Sequence, residues 1–259
     1  MGCGGGKQIL VTEQRARLEA FDDIVEIPKA GYEAATDVIA RAFAGTATQE
    51  GACDLHWAVG PEFESFDDRK RYDLARFLSK MMLLKHVKDG AVVIGRRDTA
   101  TGELKAVVVF TRCRGHRSDP CETFSYIIVI MGMLKDEPEW LKKGLPSNVQ
   151  KCFDQIGSVE AAFHKTHVRG PHYQILVAAV DPAAQGQGHA SKLLRRISEL
   201  ADAESLPCFL FTAGPEDPEK ATKVAIYSRF GFEAVAQRKI ADAGGRVVTG
   251  YGMVRKGTS

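Results

Sequence analysis

The sequence predicts an α/β (α+β) fold in a single domain, and three patterns carry that expectation. Two apolar runs, 91–97 and 104–112, flank a turn-forming segment and read as a hairpin. Residues 173–230 alternate strand, helix, strand, helix, each with its own hydrophobic period. The chain then closes on two further strands, 232–238 and 247–255, separated by Ala243-Gly244-Gly245. With 259 residues it can bury a sizeable core.

The elements follow in order. Residues 1–20 are Gly-rich and then polar, and are expected to be a flexible leader to a domain spanning 21–259. Phe21 to Pro28 reads as a strand closed by proline. From Tyr32 to Ala44, Ala35, Val38, Ile39, Ala42 and Phe43 recur at helical spacing. Gly45 to Asp68 reads as a long loop. Arg71 to His86 is expected to be a helix with Leu74, Phe77, Leu78 and Met81 on one face. After the hairpin, Cys113 to Pro171 holds two expected helices, 123–134 and 148–164, joined by a charged connection from Lys135 to Pro146. Tyr173 to Val180 is a short apolar strand stopped by Asp181-Pro182. Gln187 to Glu204 is a helix with Leu193, Leu194, Ile197 and Leu200 inward. Pro207 to Thr212 is a buried strand, and Pro218 to Phe230 a helix carrying Val224, Ile226, Tyr227 and Phe230.

Composition excludes some classes. There are 35 basic and 33 acidic residues, so bulk charge gives no reason to expect nucleic acid or an anionic membrane as main partner. The six cysteines are scattered, with no CxxC pair, and read as reduced thiols of a cytoplasmic protein. No apolar run approaches the roughly 20 residues needed to cross a bilayer. Gly2-Cys3 resembles a myristoylation start beside a palmitoylation site, although Gly6 stands where Ser or Thr is usual. A lipid anchor there would make the chain membrane-associated; a flexible leader is the plainer reading.

The chemistry concentrates in the loop after the 173–180 strand. Amides at a helix start have no intrahelical partners, and the helix dipole adds partial positive charge, so a pyrophosphate is a natural ligand. Gly186, Gly188 and Ala190 let the backbone approach such a ligand, and Ser191 can add a hydroxyl. A Walker loop needs Gly-Lys-Ser/Thr, and Gly188-His189-Ala190 stands here. The dinucleotide fingerprint needs a third glycine where Ser191 stands, in an early βαβ unit.

A third pattern does fit. Val180-Asp181-Pro182-Ala183-Ala184-Gln185-Gly186-Gln187-Gly188-His189-Ala190-Ser191-Lys192-Leu193-Leu194 resembles the acyl-CoA loop of the GNAT acetyltransferase superfamily. Ile226-Tyr227-Ser228-Arg229-Phe230-Gly231-Phe232-Glu233 resembles the tyrosine-then-Gly-Phe signature that ends the next helix in that family. The resemblance spans about residues 172–238. It implies a mixed, mostly antiparallel sheet of six to seven strands, flanked by helices and splayed where the strands 173–180 and 207–212 part. Acetyl-CoA would lie in that gap as co-substrate. Its pyrophosphate would rest on the amides of Gln185, Gly186, Gln187, Gly188, His189 and Ala190. Its pantetheine would pair with Ala178, Ala179 and Val180, where a backbone N–H would polarise the acyl carbonyl.

Tyr227 matches the family's general acid for the departing thiolate; a packed core tyrosine is the alternative. His172 begins the central strand, as in a subset of the family, and its pKa range suits proton removal; a satisfied structural histidine is the alternative. Glu122 is a weaker candidate base, and water alone serves in some members. His164, His167 and His172 cluster in sequence, but no acidic or cysteine ligand completes a set, so no metal is expected. Lys192, Arg195 and Arg196 could reach the CoA 3′-phosphate or form a solvated basic face. Lys220 stands where the family often has an Asn that bonds pantetheine, and the 213–218 segment is longer than usual.

The expected function is therefore transfer of an acetyl or other short acyl group to a primary amine, by direct attack in a ternary complex. The helical insertion at about 113–171 and the 45–68 segment are expected to form the acceptor site. That insertion favours a small-molecule amine over a peptide or protein amine. A non-catalytic acyl-CoA-binding or sensing module is the alternative from another class. The chain is expected to act as a monomer or homodimer.

Overall fold

The computed structural model describes residues 23–44, 59–114, 138–142, 147–217, 219, 221–241 and 247–257. The leader, the expected helix at 123–134, Glu122, Lys220, and Glu50 and Asp54 of the 45–68 segment lie outside them. The strands are β1 (Ile24–Glu26), β2 (Val92–Arg97), β3 (Leu104–Cys113), β4 (His172–Val180), β5 (Cys208–Gly214), β6 (Glu233–Ala241) and β7 (Val247–Arg255). The helices are α1 (Tyr32–Ala44), α2 (Asp68–Lys88), α3 (Glu139–Lys142), α4 (Ser147–His167), α5 (His189–Ala203) and α6 (Thr222–Ser228).

The seven strands form one sheet in the order β1-β2-β3-β4-β5-β7-β6. Every neighbouring pair is antiparallel except β4 with β5. The β2–β3 hairpin is pinned by Asp98, whose Oδ1 accepts from the amides of Ala100 and Thr101 at 2.9 and 2.8 Å. The Asp67 side chain caps α2 by accepting from the Lys70 amide at 2.7 Å.

Two apolar layers sandwich the sheet. α5 lies over β2, β3 and β4, and α6 lies over β5 and β6. Leu193, Leu194, Ile197 and Leu200 pack there with Phe110, Tyr173, Ile175 and Leu210. On the opposite face α1 covers β3 and β4, with α2 against it, and α4 covers β6 and β7. Leu74, Phe77, Leu78 and Met81 of α2 are all buried. Within the expected 45–68 loop, residues 61–65 form a 3-10 turn whose Phe63, with Phe66, is buried, while Glu62, Glu64, Asp67 and Asp68 are exposed. Phe66 meets Trp140 of α3 at 5.9 Å between ring centres. The expected 218–230 helix is shorter, and Ile226 faces solvent because it lies about 200° around the helix from Val224.

One irregularity in β4 matters for everything that follows. Val109 pairs with Val177 and Phe110 with Ile175, so Leu176 is an extra residue, a β-bulge. Before it, Tyr173 and Ile175 face the α5 layer. After it, Ala178 and Val180 do so, while Val177 and Ala179 face α1. Alternation without the bulge would have put 177 and 179 on the α5 side.

Candidate active site

β4 and β5 pair only through Tyr173↔Cys208, Gln174↔Phe209 and Ile175↔Leu210. From the bulge onward β4 stays with β3, while β5 continues along β7 to Gly214↔Thr249. The two strands therefore part at residue 176. The β5-facing backbone edge of 176–180, which includes Ala178, Ala179 and Val180, borders that opening.

The opening leads to the start of α5. Asp181 turns the chain out of β4: its Oδ1 accepts from the Ala183 amide at 3.0 Å, and its Oδ2 from Arg41 Nε of α1 at 2.7 Å. Gly186 and Gly188 then adopt φ of 78° and 77°, a region that side-chain-bearing L residues rarely enter. A Cβ built on either glycine would meet nothing within 4 Å. The loop thus leaves open space above backbone that ends in the first turn of α5, with Gly188 as N-cap. Gln185, Gly186, Gln187 and Gly188 are exposed, and Ala190 and Ser191 half-buried. The Gln185 amide donates to the Pro182 carbonyl at 3.4 Å, so it is the exposed backbone from Gly186 onward, the helix start and the absent side chains that fit a pyrophosphate.

The cradle is braced from below. The His189 ring is buried, and its Nδ1 accepts from Arg96 Nη1 of β2 at 2.9 Å. Burial, reinforced by the Arg96 charge, holds the imidazole below its usual pKa. Asp23 Oδ2 accepts from Arg96 Nε at 3.0 Å and from Lys192 Nζ at 2.7 Å, and the Lys192 bond helps hold this carboxyl below the usual range. Arg196 is buried, with Nη1 at 3.3 Å from Glu199 Oε2, so the basic face expected at 192–196 is solvated only at Lys192 and Arg195. The periodicity could have shown this, because 189, 193, 196, 197 and 200 share one stripe of the helix.

Tyr227 sits at the end of α6, half-buried against the α5-side core. The Phe232 amide donates to the Tyr227 carbonyl at 3.3 Å and the Gly231 amide to the Ser228 carbonyl at 3.0 Å, with Gly231 at φ 80°. These are the two bonds of a Schellman stop, and its accompanying apolar contact is Phe232 against Tyr227, 6.1 Å between ring centres. The tyrosine-then-Gly-Phe segment is therefore a helix terminator that fixes the Tyr227 ring beside a buried phenylalanine.

His172 lies on the other face of the sheet. Its side chain is fully buried, Nδ1 donates to the Gly170 carbonyl at 2.9 Å, and Nε2 is 2.6 Å from Nε2 of His164 on α4. The His164 ring stacks on Phe209 of β5 at 5.0 Å. Cys113, the cross-strand partner of His172, donates its thiol to Gln174 Oε1 at 3.6 Å, and Gln174 Nε2 donates to Glu160 Oε1 at 2.9 Å. Burial pushes the Cys113 thiol up to about 11 and raises the Glu160 carboxyl. His172 and Tyr227 are thus not brought together: they lie on opposite faces of the sheet, and His172 sits beside the stretch where β4 and β5 are still paired. Four residues of strand, about 13 Å, separate His172 from the bulge.

The expectation that no cysteine completes the histidine cluster is corrected here. Cys113, His164 and His172 offer ligand atoms within 4.8 Å of one another. His167 turns to solvent instead. Chain distance hid Cys113, although the end of one antiparallel strand necessarily lies beside the start of the next.

Comparison with known proteins agrees with this architecture. Residues 152–234 match the acetyltransferase (GNAT) domain. A structure described as histone acetyltransferase HPA2 and related acetyltransferase, from Corynebacterium glutamicum, is 19% identical, with a TM-score of 0.52 over 92% of this chain and 97% of that one. Arylalkylamine N-acetyltransferase 2 from Aedes aegypti is 17% identical, with a TM-score of 0.57 over 90% and 97%. No curated protein sequence matches the chain. The domain match thus runs from α4 into β6, and these two solved structures share the fold along nearly the whole chain.

Proposed function

We propose that residues 21–259 work as one unit that transfers an acetyl or other short acyl group from acetyl-CoA to a primary amine, most readily a small-molecule amine. The observation that carries this reading is the parting of β4 from β5 at Leu176 beside the Gly186/Gly188 cradle. A thioester with a pyrophosphate-bearing tail needs both a slot for the tail's amides and an anion site at its end, and the two are contiguous here.

In this reading the amides of 186–190 hold the pyrophosphate, and the open edge at Ala178, Ala179 and Val180 pairs with pantetheine. A β4 amide near the bulge polarises the thioester carbonyl. The amine nitrogen attacks the carbonyl carbon, a C–N bond forms, and the C–S bond breaks as the tetrahedral species collapses. Tyr227 gives its phenolic proton to the departing sulfur. His172 takes the amine proton, relayed by water because the ring lies about four residues from the bulge.

The test is acetyl-CoA consumption by the purified chain across arylalkylamines, polyamines and short peptides. CoA release that depends on one amine class supports the proposal. Tight CoA binding with no amine-dependent release would instead identify a sensing module.

A further inference from the structure

We propose that Cys113, His164 and His172 form a binding site for a borderline divalent cation, zinc(II), on the face of the sheet opposite the CoA loop.

Three separate elements deliver the donors. Cys113 ends β3 and His172 begins β4 as direct cross-strand partners, so their side chains share a face. His164 descends from α4 and is held over both by stacking on Phe209. The donor atoms lie within 4.8 Å of one another, with one residue buried and two half-buried. Cysteine with two imidazoles is a set that suits zinc and leaves a fourth position for water or another ligand.

The histidine geometry sharpens the argument. A carbonyl oxygen can only accept, so the 2.9 Å contact with Gly170 puts a proton on His172 Nδ1. In the neutral ring this leaves the Nε2 lone pair directed at His164 Nε2, 2.6 Å away. Two ring nitrogens that converge this closely share a proton between them. A cation in place of that proton satisfies both, the displaced proton moving to Nδ1 of His164 so that each ring stays neutral. Donor atoms around tetrahedral zinc stand about 3.3–3.6 Å apart, so the nitrogens need to open by about 0.7 Å. A slide of the His164 ring across Phe209 supplies that movement. The backbone carbonyl behind His172 is the support that metal-bound histidines commonly have, fixing tautomer and ring orientation.

Charge and protonation are consistent with this. Zinc, one thiolate and two neutral imidazoles leave a net charge of +1, and Glu160, linked to Cys113 through Gln174, can offset it. The raised thiol pKa means that binding must displace the Cys113 proton. Affinity therefore rises with pH, and each ion bound near neutral pH releases a proton.

The site and the proton-transfer role compete for a single lone pair on His172. Zinc is accordingly an inhibitor of acetyl transfer; this consequence rests on His172 being the base, whereas the binding itself does not.

The experiment titrates the chelator-stripped full chain with cobalt(II) and then zinc(II). One equivalent of cobalt is expected to bind, with a thiolate-to-cobalt charge-transfer band that zinc abolishes. Cys113→Ser should remove the band, and His164→Gln, which removes a direct ligand, should weaken binding by at least the roughly 10- to 100-fold that loss of an outer-shell partner costs, with circular dichroism confirming that both variants fold. Absence of the band in the unaltered chain at stoichiometric cobalt overturns the site, as does a band that persists in Cys113→Ser. Stoichiometric binding without inhibition of turnover upholds the site and removes His172 from the proton path.

Discussion

The two faces of the sheet are built differently. On the α5 face, β4, the glycine loop, α5, β5 and the Schellman stop at Tyr227 follow one another within about sixty residues, and each positions the next. On the opposite face, Cys113, His164 and His172 arrive from three elements, and only tertiary packing brings them together. The first arrangement is a local program, each step set by a short window of sequence. The second depends on α4 lying correctly over the sheet.

The sharpest way to break the comparison is Tyr227→Phe. Loss of the acid should lower kcat about 100-fold while leaving acetyl-CoA affinity within about twofold, read from initial rates and CoA titration. An unchanged rate would leave Tyr227 as a packing residue and remove the catalytic role from the α5 face. Gly188→Val comes next. It forces a β-branched side chain into the left-handed region and fills the space above the loop, so CoA affinity should fall at least about tenfold by calorimetry, for a folding cost of about 1–2 kcal/mol.

Acid sensitivity should arise on the other side as well as at the depressed His189 of α5. Burial, helped by Lys85, pushes His86 of α2 from 6.5 to about 4. Between those values the unfolded chain binds more protons than the folded one, so stability is present above pH 6.5 and is lost as pH falls toward 4. Thermal melts from pH 7 to 4.5 should show a decline on the order of 1–2 kcal/mol that His86→Gln flattens. A parallel decline in the variant would assign the effect elsewhere. The smallest expected effect is Phe232→Leu, which trims the apolar partner of Tyr227 at a cost of about 1 kcal/mol in chemical denaturation. If kcat falls further than stability explains, Phe232 positions the Tyr227 ring.

The sequence was readable where the physics is local. Helix α1 ends where expected, at Tyr32 and Ala44, and β7 runs from Val247 to Arg255 as expected, because periodicity and glycine boundaries are properties of short windows. The glycine loop was legible for the same reason. The Leu176 bulge was not, since Ile175, Leu176 and Val177 are all apolar and no glycine or proline marks the extra residue. The Cys113 contact was missed because strand pairing joins positions 59 residues apart. His189 and Arg196 point inward because they share the buried stripe of α5, a pattern obscured by reading them as polar residues first.

The bulge has a consequence for how this protein can diversify. In a regular strand, alternation yokes every position to its neighbours, so a residue inserted or removed anywhere turns the whole remainder over. Leu176 breaks β4 into two independently addressed halves. His172 and Gln174 answer to α4 and β3, while 177–180 answer to α1, α5 and the opening between β4 and β5. Substitutions at His172 or Gln174 can therefore retune one half without disturbing the phase of the other. Deletion of the single residue Leu176 would do the reverse, keeping every remaining side chain while exchanging the faces on which half of them act.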